Sequence, residues 1–407
     1  MPPPKSSARL QVAILLVCLV PFVATVFFGF ESGNPLVVVL STGLAIATTG
    51  FALAWGTESL QFVVSQVLAL AVLALAQVLP EYSVEVVLAY RGASDPTILH
   101  YATAAMTGAN RLLLGLGWPA VYALSRFASR GRAGKDRDLA LEKQQSVEVL
   151  FLGLATLYSF VIVIRSNLGP VDAAVLLTIF ATYLYLAKRL PPHDESRMVE
   201  LEGPALAVAR LKGGRKVGAI LFFVLTGIVV ITFGSEPFVN SFLAVAASLS
   251  LNQYFLIQWL TPLLTELPEA TTVFYWANRT GKGSLALANL VSSKLNQWTI
   301  LVSTIPIVFA IATGNLQGIP LIGLQVEEIF LTASQSLYGF VCLSDLRLSR
   351  REAGTLFVLF AVQLIFPPIR IEVSVLYLLL AGIEVALAGG RMPIFRNVAS
   401  LVKEHVH

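Results

Sequence analysis

The chain has 407 residues, 56% of them hydrophobic and only 13% charged, with a mean hydropathy of +0.77. A soluble protein carries roughly 25% charged residues, and apolar runs of about 18 residues or more read as membrane spans. Composition therefore excludes a water-soluble domain, and the formal charge of +4 is no argument for nucleic acid as a partner in a polytopic membrane protein.

The first apolar run follows "MPPPKSSARL" and is longer than the roughly 7–15 residues of a signal-peptide core, so a retained helix is expected. From there the hydropathy predicts an all-α protein with about twelve spans, near 11–30, 35–56, 59–90, 97–126, 147–164, 170–187, 217–233, 238–278, 283–313, 322–343, 354–368 and 371–390. Cys18 and Cys342 lie far apart in apolar segments, which indicates no disulfide framework. Two long basic connections, "RFASRGRAGKDRDLALEK" and "KRLPPHDESRMVELEGPALAVARLKGGRK", are separated by two spans and so face one side, which the excess of Lys and Arg marks as cytoplasmic. Extending the alternation puts both termini inside and leaves Arg91, Arg165 and Arg370 outside, with Arg111 and Lys294 at membrane depth. The Asn278 sequon "NRT" then falls inside and is discounted. An inner (plasma) membrane is the expected location.

Spans 59–90 and 238–278 are longer than a bilayer requires, and each holds a Leu-Pro-Glu: "AQVLPEYSVE" from Ala76 and "LTELPEATT" from Leu264. Each is followed by a helix with a small-residue, Asn-containing face, "HYATAAMTGANRLLLGLG" and "SLALANLVSSKLNQW". By the topology above, the two Leu-Pro-Glu helices run in opposite directions. Interrupted helices at matching places in two inverted halves point to a binding site near the membrane midplane. The division expected is an extra N-terminal helix (1–30), a first repeat (31–190), a basic loop (191–216), a second, inverted repeat (217–368), and an extra helix with a cytoplasmic tail (369–407).

Proline has no N–H for the carbonyl four residues back, so Pro80 frees Ala76 O and Pro268 frees Leu264 O. Such carbonyls survive in a membrane only where protein, water or an ion satisfies them. Glu81 and Glu269 place carboxylates beside them. Residues three and four apart share a helix face, which adds Gln77 and Glu85 to Glu81, and Thr265 and Glu266 to Glu269. Four ionised side chains at helix centres cost roughly 10–14 kcal/mol on the insertion scale, so accident is a poor explanation. Hard cations such as Ca²⁺ take oxygen ligands, and crowded carboxylates hold either a cation or protons.

The two phrases resemble the α-repeats of the cation/calcium exchanger superfamily, whose pattern is G-T-S-L-P-E in one helix and G-N-x-x-G-S-N in the next. On that resemblance Glu81 and Glu269 are the motif acids, Asn289 is the first asparagine of repeat two, and Asn110 the second of repeat one. The chain departs from the pattern at Ala105, Glu85, Glu266 and Lys294. A lysine at the last position can salt-bridge Glu269 or Glu266 and replace a bound monovalent ion. The resemblance implies a ten-helix inverted-repeat core with one extra helix at each end. It implies a cation antiporter, moving Ca²⁺ or another cation against Na⁺ or H⁺ by alternating access. It also implies no cofactor; inorganic cations and the bilayer would be its partners, and nucleotide would not. The competing readings are a Na⁺/H⁺-type exchanger, a metal-using membrane enzyme, disfavoured because no HExxH or nucleotide signature is present, and a transport-inactive scaffold or receptor with Lys294 plugging the site. Arg111 lies about 100° around its helix from Asn110 and is expected to pair elsewhere. Glu327 and Glu328 are expected at a solvated outer rim, and His100 is read as structural.

Overall fold

The computed structural model describes residues 5–29, 33–129, 138–193, 201–248, 258–259, 261–388 and 392–405. It is helical nearly throughout. Helix α1 (Lys5–Phe28) and α2 (Pro35–Leu60) are followed by α3 (Gln66–Gln77) and α4 (Leu79–Gly92), then α5 (Pro96–Leu112) and α6 (Trp118–Ala128) joined by a π-helical segment, Leu113–Gly117. Next come α7 (Ser146–Arg165), α8 (Pro170–Arg189), the short α9 (Gly203–Ala209) and the long α10 (Gly214–Ser248). The second half continues with α11 (Thr261–Thr265) and α12 (Leu267–Ala277), then α13 (Gly283–Asn296) and α14 (Val302–Thr313) around a second π segment, Gln297–Leu301. Helices α15 (Gly323–Cys342), α16 (Arg350–Ile365), α17 (Arg370–Leu387) and α18 (Pro393–His405) complete the chain.

Six of the described helical stretches are each long and apolar enough to cross a membrane: Ala8–Phe28, Pro35–Leu60, Lys143–Arg165, Pro170–Arg189, Gly214–Phe242 and Gly283–Thr313. The pair α3–α4 passes the same test only as a bent unit, with 42° between its halves. Large apolar side chains such as Val17, Ile164 and Leu379 stand exposed on the outside of the bundle, the reverse of a soluble surface and suited to lipid. The main core gathers Trp118, Trp276, Trp298, Tyr183, Tyr338 and Tyr377, while two smaller clusters join α1, α2 and α10.

One expected boundary is overturned. Hydropathy predicts a break near residues 234–237 between two spans, but α10 runs straight through Gly234 and Pro237 to Ser248. The proline removes a single helical bond. Phe22, Ile46, Val230 and Phe238 pack together along this stretch and hold α10 against α1 and α2. Residues 249–257 and 260 of the expected span lie outside the described residues.

Two very short antiparallel ladders tie the halves together at opposite ends of α7. Strand β1 (Leu139–Ala140) pairs with β4 (Arg347–Leu348), and β2 (Asn167–Leu168) pairs with β3 (Ile319–Pro320). The connections that alternation assigns to one side therefore meet each other. So do the ends of α2 and α8, where the His193 N–H donates to Gln61 O at 2.9 Å.

Candidate cation site

Both Leu-Pro-Glu phrases break their helix in the same way. The junction residue is Val78 in the first (φ −84°, ψ −3°) and Glu266 in the second (φ −84°, ψ 1°), each two residues ahead of its proline. The chain re-enters a helix at once: the Tyr82 N–H reaches Val78 O at 3.1 Å and the Ala270 N–H reaches Glu266 O at 2.8 Å. Ala76 and Leu264 sit one turn before prolines that have no N–H to offer their carbonyls. Glu81 and Glu269 fall in the first turns of α4 and α12, where the partial positive charge of a helix start favours a carboxylate.

The breaks meet. Gln297, at the start of the second π segment, donates through Nε2 to Glu81 Oε2 at 3.1 Å and to Glu266 Oε1 at 3.4 Å, so one amide joins acids from both halves. Gln77 is a second strut: its Nε2 donates to Thr272 Oγ1 at 2.9 Å and Pro268 O at 3.4 Å, and its Oε1 accepts from Asn289 Nδ2 at 3.1 Å. Tyr82 Oη donates to Asn296 Oδ1 at 2.6 Å. Helix α2 closes one side at Gly50, whose carbonyl accepts from Thr272 Oγ1 at 2.9 Å. A Cβ at Gly50 would lie 2.8 Å from Thr271 Cβ and 3.0 Å from Pro268 O, so only glycine lets α2 approach the second break this closely.

Glu81, Glu85 and Glu269 are almost completely buried, yet their charge is poorly answered. Glu81 Oε1, Glu269 Oε1, both Glu85 carboxylate oxygens, Asn289 Oδ1 and Gln297 Oε1 have no hydrogen-bond partner. An unpartnered buried polar atom costs about 1–3 kcal/mol, more if charged, so this concentration of them around the two breaks marks a candidate site for an electropositive ligand. The orphans are mostly oxygens, the donor set of a hard cation. Among the described residues, no group of three or more His, Cys, Asp or Glu side chains stands close enough to hold a metal ion by itself. A cation here would therefore have to draw on amide, hydroxyl and carbonyl oxygens as well as carboxylates.

Not every expected ligand is placed as the sequence suggests. The Thr265 hydroxyl donates within its own turn to Pro262 O at 3.2 Å, leaving only its lone pairs for other use. The Lys294 ammonium makes no bond to Glu266 or Glu269; it donates to Asn110 O at 2.7 Å and Asn110 Oδ1 at 2.9 Å. Glu328, expected at a solvated rim, is buried and ion-paired to Arg111 and, at 2.7 Å, to Arg370. Two arginines meeting one carboxylate drew it inward. Glu327, the other member of that pair, is only partly buried. His100 is partly buried and lines a cavity of about 430 Å³ with Thr103, Gln325 and Glu328.

Sequence reasoning passed over Gln297, although its spacing from Lys294 and Asn289 put it on the quoted small-residue helix. It also passed over three buried acids away from the breaks. Glu58 accepts from Trp276 Nε1 at 2.6 Å and from Arg279 at 3.4 Å. Glu148 accepts from Tyr183 Oη at 2.7 Å. Asp172 accepts from Tyr158 Oη and Arg165, both at 2.8 Å, and from the Gly169 N–H at 2.7 Å. Nothing local distinguishes these acids from solvated ones, because their partners are set by neighbouring helices or by a loop.

The decisive comparison is with a family model described as "Sodium/calcium exchanger protein", which matches residues 34–188 and 219–367, well over half of the chain. The chain belongs to the sodium/calcium exchanger family. It is thus an integral membrane protein of the cation/calcium exchanger superfamily, whose members are ion-transporting antiporters. Among solved structures it is similar to an H⁺/Ca²⁺ exchanger, CAX, with 32% identity and a TM-score of 0.84, covering 99% of this chain and 100% of that one. It also shares a fold with the sodium–calcium exchanger NCX_Mj, solved with Na⁺ and Sr²⁺, at 17% identity and a TM-score of 0.61, covering 82% and 98%. Among curated protein sequences, nothing matches.

Proposed function

We propose that this exchanger is a secondary-active antiporter that moves Ca²⁺ against H⁺. Twelve spans would carry it: a ten-helix core of two inverted repeats, 31–190 and 217–368, with one helix added at each end and both termini cytoplasmic. Glu81 and Glu269 would be the principal ligands, with Glu85, Glu266, Gln77, Asn289 and Thr265 and the carbonyls of Ala76 and Leu264 completing the oxygen set as the halves rock. The observation that carries the reading is the Gln297 amide shared between Glu81 and Glu266, which joins acids from both broken helices while Glu81 Oε1, Glu269 Oε1 and both Glu85 oxygens stay unpartnered.

The chemistry follows from crowding. Carboxylates gathered out of water cannot all stay ionised alone; either a divalent cation neutralises them or protons do. The two occupants exclude each other, so loading one releases the other, and that exclusion couples their gradients. Protons are preferred to Na⁺ as the counter-ion because the structure sharing 32% identity is an H⁺/Ca²⁺ exchanger, whereas the Na⁺-bound neighbour shares only 17%. A plugged, inactive scaffold is disfavoured, because the Lys294 ammonium is held at Asn110 and leaves the carboxylates unpaired.

The test is ⁴⁵Ca²⁺ uptake into proteoliposomes under an imposed pH gradient, with a Na⁺ gradient as the competing arm. Uptake driven by the pH gradient and collapsed by a protonophore supports the reading. Uptake driven only by Na⁺, or by neither gradient, overturns it.

A further inference from the structure

Asn110 and Lys294 occupy equivalent places in the two halves. Each lies on the helix that follows a Pro-Glu break, and each precedes a five-residue π segment by three residues: Leu113–Gly117 after Asn110, Gln297–Leu301 after Lys294. The two positions touch across the repeats through the bonds from the Lys294 ammonium to Asn110 O and Oδ1. Both residues are fully buried. The amide orientation is settled by its partners: Asn110 Nδ2 donates to Met106 O at 3.0 Å, and an ammonium can meet only the oxygen side. The Trp298 ring lies under the ammonium, 5.6 Å to its centroid.

A main-chain carbonyl, an amide oxygen and an aromatic face make up the surroundings a desolvated monovalent cation takes. Here a side chain of the protein supplies the cation. A lysine buried merely to balance charge would bond to a carboxylate; this one bonds to neutral oxygens while Glu266 and Glu81 remain only electrostatic neighbours. Arg111, the next residue to Asn110, cannot take its place, because its guanidinium is held by Thr107 O, Gln363 Oε1 and Glu328.

We infer that Lys294 is a tethered cation filling a monovalent subsite built by Asn110. The exchanger then binds its divalent ion at the oxygen set around the glutamates and takes no Na⁺ at this second position. This inference rests on the antiport reading for its role in transport, but its occupancy claim concerns binding and can be tested without flux.

The experiment measures melting temperature and ²²Na⁺ binding of the full chain in detergent, titrated with NaCl against choline chloride at equal ionic strength. Wild type is expected to show no saturable Na⁺-specific shift, and Lys294→Met, which removes the charge without adding an oxygen, none either. Lys294→Asn restores an oxygen in place of the ammonium and is expected to acquire saturable Na⁺ binding with a Na⁺-specific rise in melting temperature. Saturable Na⁺ binding by the wild type, or a folded Lys294→Asn that binds no Na⁺, overturns the inference. Should Lys294→Asn not fold, Asn110→Ala decides: it releases the ammonium toward the glutamates and is expected to weaken Ca²⁺ binding at least about ten-fold, and unchanged affinity overturns the inference. Absence of pH-driven Ca²⁺ uptake by the wild type would instead sink the antiport reading and leave the Na⁺-binding result standing.

Discussion

Asn110 and Arg111 are consecutive on α5, yet they belong to two opposite kinds of buried charge. Arg111 looks toward Glu328, where two arginines, Gln363 and the Trp259 ring, 5.0 Å from the guanidinium, answer every charge. Asn110 instead holds the Lys294 ammonium, while Glu81, Glu85 and Glu269 are each left with an unpartnered oxygen. The first arrangement pairs its charges within the protein and holds helices α5, α15, α16 and α17 together. No ion pair among the described residues answers the carboxylates of the second. Burial alone does not separate the two arrangements; the pairing of their charges with ions of opposite sign does.

Substitutions at the two clusters should therefore fail in different ways. The largest effect is expected from Glu81→Gln and Glu269→Gln: Ca²⁺ uptake should fall by more than about 100-fold, since even indirect partners of a metal are worth about 10–100-fold. The melting temperature should hardly move, because neither carboxylate loses an ion pair. A matching drop in stability would put these residues in the structural class. Glu328→Gln should do the reverse, costing about 3–5 kcal/mol by stranding buried arginine charge, with uptake per folded molecule preserved; denaturant titration beside the flux assay reads both. Gln297→Ala should be milder, weakening Ca²⁺ binding about ten-fold by releasing Glu81 from Glu266, as loss of an indirect partner does. Isothermal titration that shows unchanged affinity would mean the bridge does not position the acids. The exposed pair Lys143–Glu404, 3.4 Å apart, is the baseline: Lys143→Ala should change stability by less than about 0.5 kcal/mol and leave uptake alone.

Much of this was readable along the chain. The broken helices announced themselves because proline lacks an N–H wherever it sits, and both breaks fall two residues ahead of Pro80 and Pro268. Glu81, Glu85, Glu266 and Glu269 stood out because a carboxylate inside an apolar run is costly in any membrane fold. Hydropathy failed at α10, where glycine, serine and proline resembled a turn and packing against α1 and α2 kept the helix going. It failed again at Glu328, whose neighbours in sequence look solvated while Arg111 and Arg370 are brought to it from other helices.

The sequence by itself determined that the chain belongs in a bilayer, that two of its helices must break, and that acids sit at those breaks. Hydrophobicity, missing donors and helical spacing are properties of neighbours along the chain. Only the tertiary structure decided which charges are answered. The Gln297 bridge to Glu81 spans 216 residues and the Lys294 contact with Asn110 spans 184. No local pattern specifies which oxygen an ammonium will reach over such separations; packing of one inverted half against the other does.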